Sequence, residues 1–190
     1  MERLCASLDL RRGASGRIAV DLGRRVVDIC AVAVIVLMLA IAVQVAGNLF
    51  DVNPLLRFGR DLPLLGQALT LNGLLDLQWH LMALVALIPA GIVWLRDRHV
   101  RVDFLYDRHG PRGRAATDLM GNLLFALPFL AMAIPAAWRF AHRAWRVDEG
   151  GANGGLEDLW LIKMALPLGL ALLAAAVAWE SLRLLRSLAR

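Results

Sequence analysis

Four long runs without a charged residue constrain this chain more than any other feature of its sequence. They cover Ile29–Phe50, Leu77–Leu95, Leu119–Trp138 and Met164–Trp179, with lengths of 22, 19, 20 and 16 residues. About 20 apolar residues in a helix cross the ~30 Å hydrocarbon core of a bilayer. A core helix of a soluble protein is rarely uncharged around its whole circumference over such a length. The sequence therefore predicts an all-α integral membrane protein with four transmembrane helices.

The limits of these spans follow from the residues that flank each run. The fourth run is short, and it gains a turn if Lys163 extends its ammonium to the interface, so that Leu159–Ile162 join the apolar segment. We predict spans at roughly Val26–Phe50, Leu74–Leu95, Leu119–Trp138 and about Trp160–Leu182. Four prolines lie within them, and bilayer helices tolerate proline and kink there: Pro89, Pro128, Pro135 and Pro167.

Basic residues are divided unevenly between the two sides of the predicted spans. Of the 21 Lys and Arg residues, 15 fall in the N-terminal segment, the loop between the second and third spans, and the C-terminal tail. The other 6 fall in the two remaining connections. Because Lys and Arg concentrate in cytoplasmic loops, we expect both termini in the cytoplasm. The net charge of +5 thus reflects topology in a bilayer, and no nucleic-acid partner is expected.

The chain divides into three predicted regions. Residues 1–25 form a basic cytoplasmic lead, in which Gly13, Ser15 and Gly16 indicate a break rather than one continuous helix. Residues 26–185 form the four-helix membrane domain, and residues 186–190 a cytoplasmic tail. Small residues recur at four-residue spacing within the spans, which permits close helix approach: Ala42/Ala46, Ala133/Ala137 and Ala174/Ala178.

The segment Asp51–Gly73, between the first and second spans, is too apolar for a free loop and too broken for a span. Leucines and Phe58 alternate with charged residues, and Pro54 and Pro63 interrupt the pattern. We interpret it as an amphipathic segment on the outer face of the membrane. An ordered loop packed on the helix ends is an equally good interpretation.

Polar side chains are nearly absent from the middle of the predicted spans. An ion or carboxylate that crosses a bilayer needs such groups to replace its hydration. The acidic residues of the spans lie at helix ends beside a basic residue: Asp28 beside Arg24, Asp76 beside His80, and Glu180 beside Arg183. No nucleophile, Walker or paired-carboxylate motif is present, so no catalytic residue is expected. The pattern argues against an autonomous carrier or an enzyme and favours an accessory role.

Histidines suggest two further hypotheses. His80 and His142 lie toward the same side of the membrane, where two facing imidazoles could ligate a b-type haem in a membrane electron carrier. His142 lies just beyond the apolar run, which is shallow for a buried haem. His99 and His109 flank the loop after the second span, but neither has metal-ligand spacing, so no metal site is expected.

Two charged loops complete the pattern. In the loop after the second span, we predict that Arg98, His99, Arg101 and Asp103 form a structural knot whose partners lie on other segments or another chain. The loop Asp148–Asp158 is acidic and rich in glycine. It is either a docking surface for an extracytoplasmic partner or a solvated turn.

Several blocks resemble the small membrane subunit of tripartite ATP-independent periplasmic (TRAP) transporters. The first is L-D-L-Q-W-H at 75–80, and the most distinctive is R-D-R-H-V-R-V-D at 96–103, followed by Tyr106, Pro111 and Arg112. The likeness continues with W-R-V-D-E at 145–149, then Gly154-Gly155-Leu156, Trp160, Lys163, Pro167 and Gly169. It covers about residues 25–185. The chain differs from the usual pattern of that subunit at two places: Gly150 or Gly151 stands where Ser is usual, and Glu157 stands where Pro is common. Both differences lie in the loop Asp148–Asp158.

The resemblance implies a non-catalytic, DctQ-like four-helix subunit in a bacterial inner membrane, without a cofactor of its own. It implies a large membrane partner that carries the solute and sodium sites, and a periplasmic binding protein that delivers an organic acid. The small subunit would then anchor the static scaffold of the large one. The expected structural or partner-contact residues are Asp76, Gln78, Trp79, His99, Arg101, Asp103, Glu149, Trp160 and Lys163.

Overall fold

The computed structural model describes residues 14–62, 64–96, 109–151 and 154–189, with side chains from Gly23 onward. Six α-helices, one π-helical turn and two strands follow one another in this order: α1 (Ala14–Leu49), β1 (Leu56–Leu62), β2 (Gly66–Leu69), α2 (Leu71–Leu87), α3 (Ala90–Leu95), α4 (Pro111–Gly121), the π turn (Asn122–Ala126), α5 (Leu127–Arg146) and α6 (Trp160–Leu188).

The helices make four segments long and apolar enough to cross a membrane, which confirms the predicted fold class. They are Gly23–Leu49, Leu71–Leu95, Pro111–Arg146 and Trp160–Leu188, and we refer to them as the first to fourth spans. The helix of the first span already begins at Ala14, so the break predicted at Ser15 and Gly16 is wrong. Gly13 lies outside the described residues. Ser and Gly are tolerated there because the first turn of a helix lacks intrahelical N–H partners in any case.

Two spans are interrupted where proline removes a backbone donor. In the second span, α2 ends at Leu87, Pro89 follows, and α3 begins at Ala90. In the third span the π turn stands immediately before Pro128, and the Leu127 N–H donates to the carbonyl of Asn122. A proline ring crowds the carbonyl four residues earlier, and π turns and prolines are the usual sites of helix bending. The expected irregularity at Pro89 and Pro128 is thus present.

The fourth span lies at the centre of the bundle. It packs against both the second and the third spans, whereas the first span packs mainly against the second. Within the most apolar window of each span, 28% of the fourth is buried but only 6% of the first. Most of the first span therefore faces whatever surrounds the bundle.

Two glycines set the closest approach of the second and fourth spans. A Cβ at Gly91 would lie 2.9 Å from the Leu172 carbonyl oxygen, and one at Gly169 would lie 2.8 Å from the Leu87 Cβ. Small residues allow such backbone contact in a bilayer, where packing and not apolarity holds helices together.

Alanines line the contact between the third and fourth spans. On α5, which packs mainly against α6, Ala137, Ala141 and Ala144 are buried. Of the predicted alanine pairs, Ala133/Ala137 is thus at an internal contact. Ala178, by contrast, is exposed.

The connection between the first two spans is an antiparallel β-hairpin. Leu56 pairs with Leu69 and Arg57 with Ala68, and the pairing is irregular between Arg57 and Leu62. Phe58 and Leu62 are half-buried. The segment is therefore an ordered hairpin, and its Leu64 carbonyl accepts a hydrogen bond from the Glu157 N–H at 2.9 Å. Its position relative to the membrane surface stays a prediction.

The hairpin keeps part of the amphipathic character expected of this segment, because Arg57, Arg60 and Asp61 are exposed while Phe58 and Leu62 are half-buried, although Leu56 is 57% exposed. We call the end of the bundle with residues 50–70 and 147–159 the hairpin end. The opposite end, with Gly23, Arg96 and Arg183, is the terminal end.

Candidate functional site at the hairpin end

Asp76 ties the second span to the loop between the third and fourth spans. It lies in the second turn of α2, and its Oδ2 accepts a hydrogen bond from the Leu156 N–H at 3.0 Å. Leu156 is 1% exposed, and its carbonyl accepts from the Gly151 N–H at 2.6 Å. A Cβ at Gly151 would lie 2.7 Å from Asp76 Oδ2, so this glycine lets the loop close over the carboxylate. Asp76 thus satisfies a buried backbone donor.

Thr70 makes a second tie between the same two segments, and it was not among the predicted residues. As the N-cap of α2, its hydroxyl oxygen accepts from the Gly73 N–H at 2.9 Å. The same hydroxyl donates to the Gly154 carbonyl at 2.5 Å. A threonine directly before an apolar helix is an N-cap signal in the sequence. The predicted start at Leu74 passed over it.

Lys163 and Glu149 form an ion pair across the ends of the third and fourth spans. The Lys163 ammonium lies 2.6 and 2.5 Å from the two carboxylate oxygens of Glu149, and 4.6 Å from the centre of the Phe140 ring. The side chains are 18% and 39% exposed, so solvent screens the pair and its stabilisation is about 0–1 kcal/mol. Its geometry fixes where α6 begins relative to α5.

The two predicted tryptophans differ in environment. Trp160, the first residue of α6, is half-buried and donates its Nε1–H to Asp158 Oδ1 at 3.2 Å. Trp79 on α2 is 61% exposed. An exposed Trp near a span end fits the amphipathic ring expected at a membrane interface. Trp79 therefore faces outward, whereas Trp160 belongs to the closed loop.

Gln78 connects the first and second spans instead of joining the loop cluster. Its Nε2 donates to Gln44 Oε1 at 2.6 Å, and both residues are half-buried. Interhelical bonds of this kind contribute about 0.6 kcal/mol in measured membrane proteins. The first span has few other polar contacts with the rest of the chain among the described residues.

The remaining predicted residues, His99, Arg101 and Asp103, lie outside the described residues. The structural knot proposed for that loop therefore stays a prediction. Nearby, at the terminal end, Trp94 donates its Nε1–H to Glu180 Oε2 at 2.5 Å. This bond joins the second and fourth spans, so the described partner of Glu180 lies on another helix and is not the Arg183 expected beside it.

The histidines of the haem hypothesis stand apart. His80 Nδ1 lies 2.5 Å from the Asp76 carbonyl oxygen, not its carboxylate, so the expected pairing with Asp76 is made through the backbone. The His142 ring lies beside Trp145, 5.7 Å between centroids. Their spans pack mainly against the fourth span and not against each other. Within the described part of the chain, no group of three potential ligands could hold a metal ion.

Two buried polar atoms have no hydrogen-bond partner among the residues the structure describes. They are His80 Nε2, near the hairpin end, and Asn122 Nδ2, in the π turn. Asn122 is 4% exposed. Most buried polar groups in proteins are paired, so these two atoms are exceptions.

The hydrogen bonds and the ion pair at the hairpin end connect segments of the same chain. Asp76, Thr70, Glu149 and Lys163 each bind another segment of the same molecule, and together they close the loop between the third and fourth spans onto α2. Of the predicted residues, Asp76, Glu149, Trp160 and Lys163 lie at the hairpin end, whereas Gln78 contacts the first span and Trp79 is exposed. That any of them contacts a partner stays a prediction.

Comparison with known proteins adds one finding. The family model for tripartite ATP-independent periplasmic transporters, DctQ component, matches residues 58–187. The match covers more than half of the chain and extends from the hairpin to the last turn of α6. No curated protein matches the chain at a significant level.

Proposed function

The chain belongs to the DctQ component family of tripartite ATP-independent periplasmic (TRAP) transporters, and from this premise we propose that it scaffolds the large membrane subunit of one such transporter. It is a multi-pass membrane protein and a small component of that system. The proposal adds that the complex moves an organic acid, driven by an ion gradient. Sodium would bind the large subunit, so this chain needs no cofactor and catalyses no reaction.

The observation that carries the proposal is the absence of polar side chains at mid-span. Residues 31–43, 81–93, 123–137 and 164–178 contain only apolar residues, glycine and proline. A carboxylate that crosses a bilayer must exchange its hydration for polar or charged groups at that depth. This chain has none to offer, so the pathway for the solute belongs to another subunit.

The packing of the spans supports a scaffold role. The first span has little buried surface, and large apolar side chains such as Met38, Leu39 and Met132 are more than half exposed. The closed hairpin end holds three spans together through the ties of Asp76, Thr70 and Lys163. A rigid four-helix unit with wide apolar flanks can widen a static support against which a partner moves.

Orientation and localisation extend the proposal. The 15 basic residues counted on one side support termini in the cytoplasm of a bacterial cell, with the chain in the inner membrane. The hairpin end would then face the periplasm, within reach of a soluble binding protein. A cysteine introduced at Asn153, after Cys5 and Cys30 are removed, should react with an impermeant reagent in intact spheroplasts. Reaction only after the membrane is permeabilised would reverse this orientation.

Assembly with the large subunit is tested by co-expression. The two chains should co-purify one to one in mild detergent. Ala178 is exposed on α6, so Ala178→Leu separates the partners if this face is the contact, while Ala42→Leu on the exposed first span serves as the matched control. If the wild-type chain never co-purifies with a large subunit, the scaffold proposal is wrong.

A further inference from the structure

An apolar groove of about 440 Å³ opens between the first, second and fourth spans. Its walls come from all three helices, and nearly every lining atom is carbon. Lining residues include Val26, Ile88, Ile92, Leu95, Leu172 and Ala175. Trp179 closes the groove toward the terminal end.

Each of the three helices carries arginine just past the apolar wall of this groove. Arg24 and Arg25 precede Val26, Arg96 follows Leu95, and Arg183 lies one turn beyond Trp179. Two of these helices meet there, since the Arg96 Nη2 lies 2.7 Å from the position of a Cβ on Gly23. Arginines of all three helices thus follow the apolar groove at the terminal end.

A second hollow, of about 260 Å³, continues the groove along α6. It is lined by Trp179, Leu182, Arg183, Arg186 and Ser187, so Trp179 borders both hollows. Residues 172, 175, 179, 182, 183 and 186 recur at helical spacing, which places them on one face of α6. One stripe therefore runs from apolar to basic across the expected membrane boundary.

The arginines of the second hollow are available to a ligand. Within the described part of the chain, Arg183 and Arg186 form no ion pair or hydrogen bond. Of the acidic residues nearby, Glu180 accepts a bond from Trp94, and Asp28 is exposed on α1. Arg24, Arg25, Arg96, Arg183 and Arg186 outnumber the described carboxylates at this end, which are Asp28, Glu180 and Asp118 beside Trp94, so the field there is positive.

We propose that this composite groove binds one anionic phospholipid, with an acyl chain along the apolar part and its phosphate between Arg183 and Arg186. Guanidinium groups match phosphate oxygens in geometry and charge, and basic pockets between membrane helices recognise such headgroups. A helix from a partner fits less well. A partner helix offers an apolar face to the groove but no anion to the arginines beside it. The inference requires only the four spans, and it is independent of the proposed transporter role.

The test measures lipid binding to the full-length chain by native mass spectrometry in neutral detergent. Phosphatidylglycerol should bind more tightly than phosphatidylcholine with identical acyl chains. Arg183→Gln combined with Arg186→Gln should lower the affinity for phosphatidylglycerol roughly 30-fold. Each arginine near an anionic headgroup contributes a factor of about five to that affinity. The matched control, Arg57→Gln with Arg60→Gln on the hairpin, removes two exposed cations at the other end and should change nothing.

A second variant tests the apolar part separately. Ala175 is exposed in the groove, so Ala175→Phe should fill the groove while all arginines remain. The affinity for phosphatidylglycerol should therefore fall. Circular dichroism checks that each variant keeps its helix content. Equal affinity for the two lipids, or unchanged affinity in the double arginine variant, overturns the proposal. Equal binding of glycerol 3-phosphate, which lacks acyl chains, also overturns it.

Discussion

Replacing Asp76 by alanine tests the hairpin end most sharply. The Asp76 carboxylate accepts the N–H of Leu156, a residue only 1% exposed. Asp76→Ala therefore leaves a buried donor without a partner, which costs about 1–3 kcal/mol, and a bond to a charged acceptor lies toward the upper end of that range. For a chain of this size each kcal/mol lowers the unfolding midpoint by about 2–4 °C, so a cost of about 2–3 kcal/mol predicts a loss of about 4–12 °C.

The assay is thermal unfolding of the purified chain in one detergent, combined with hydrogen exchange at the Leu156 amide. Asp76→Asn retains an acceptor oxygen and should lose less than half as much. Asp61→Ala removes an exposed carboxylate on β1 and should stay within about 0.5 kcal/mol of wild type. The reasoning is refuted if Asp76→Ala unfolds at the same temperature as Asp61→Ala, or if Leu156 exchange does not accelerate.

Three further predictions use matched variants or a simple spectrum. Gly91→Ala forces a Cβ against the Leu172 carbonyl and should destabilise by about 1–3 kcal/mol, whereas Gly121→Ala meets open space and should be neutral in the same melt. Thr70→Ala removes the N-cap and the bond to the loop and should lower the free energy of unfolding by about 1–2 kcal/mol. Thr70→Ser keeps the hydroxyl and should retain most of that stability, which urea titrations of the two variants measure. Purified protein should lack a Soret band; a band that vanishes on His80→Ala would establish the haem hypothesis instead.

The sequence predicts the spans of this chain well because a helix that crosses the hydrocarbon core must be apolar along its whole length. Long uncharged runs reveal the spans, and Pro89 reveals where the second one is interrupted. Helix ends are harder to predict. Thr70 starts α2 three residues earlier than expected, and α1 continues through Ser15 and Gly16, because local capping and continuation decide these limits.

Tertiary contacts in this fold depend on single atoms that no periodicity encodes. Asp76 looked like a partner for His80 one turn away, yet its carboxylate binds the Leu156 amide, 80 residues later. The closest approach of the second and fourth spans involves Gly91 and Gly169 and not the alanine pairs, since only a missing Cβ admits the backbone of Leu172 or Leu87. For Asp51–Gly73, alternating polarity suited a strand hairpin and a surface segment alike.

Solute uptake into proteoliposomes tests the central claim most directly. Vesicles receive this chain alone, the large membrane subunit alone, or both, with an inward sodium gradient, the periplasmic binding protein and a panel of radiolabelled carboxylates. We predict no uptake with this chain alone, because residues at mid-span offer no polar group to a carboxylate. Uptake should require the large subunit and be strongest when both are present. Gradient-driven uptake by this chain alone would contradict the account.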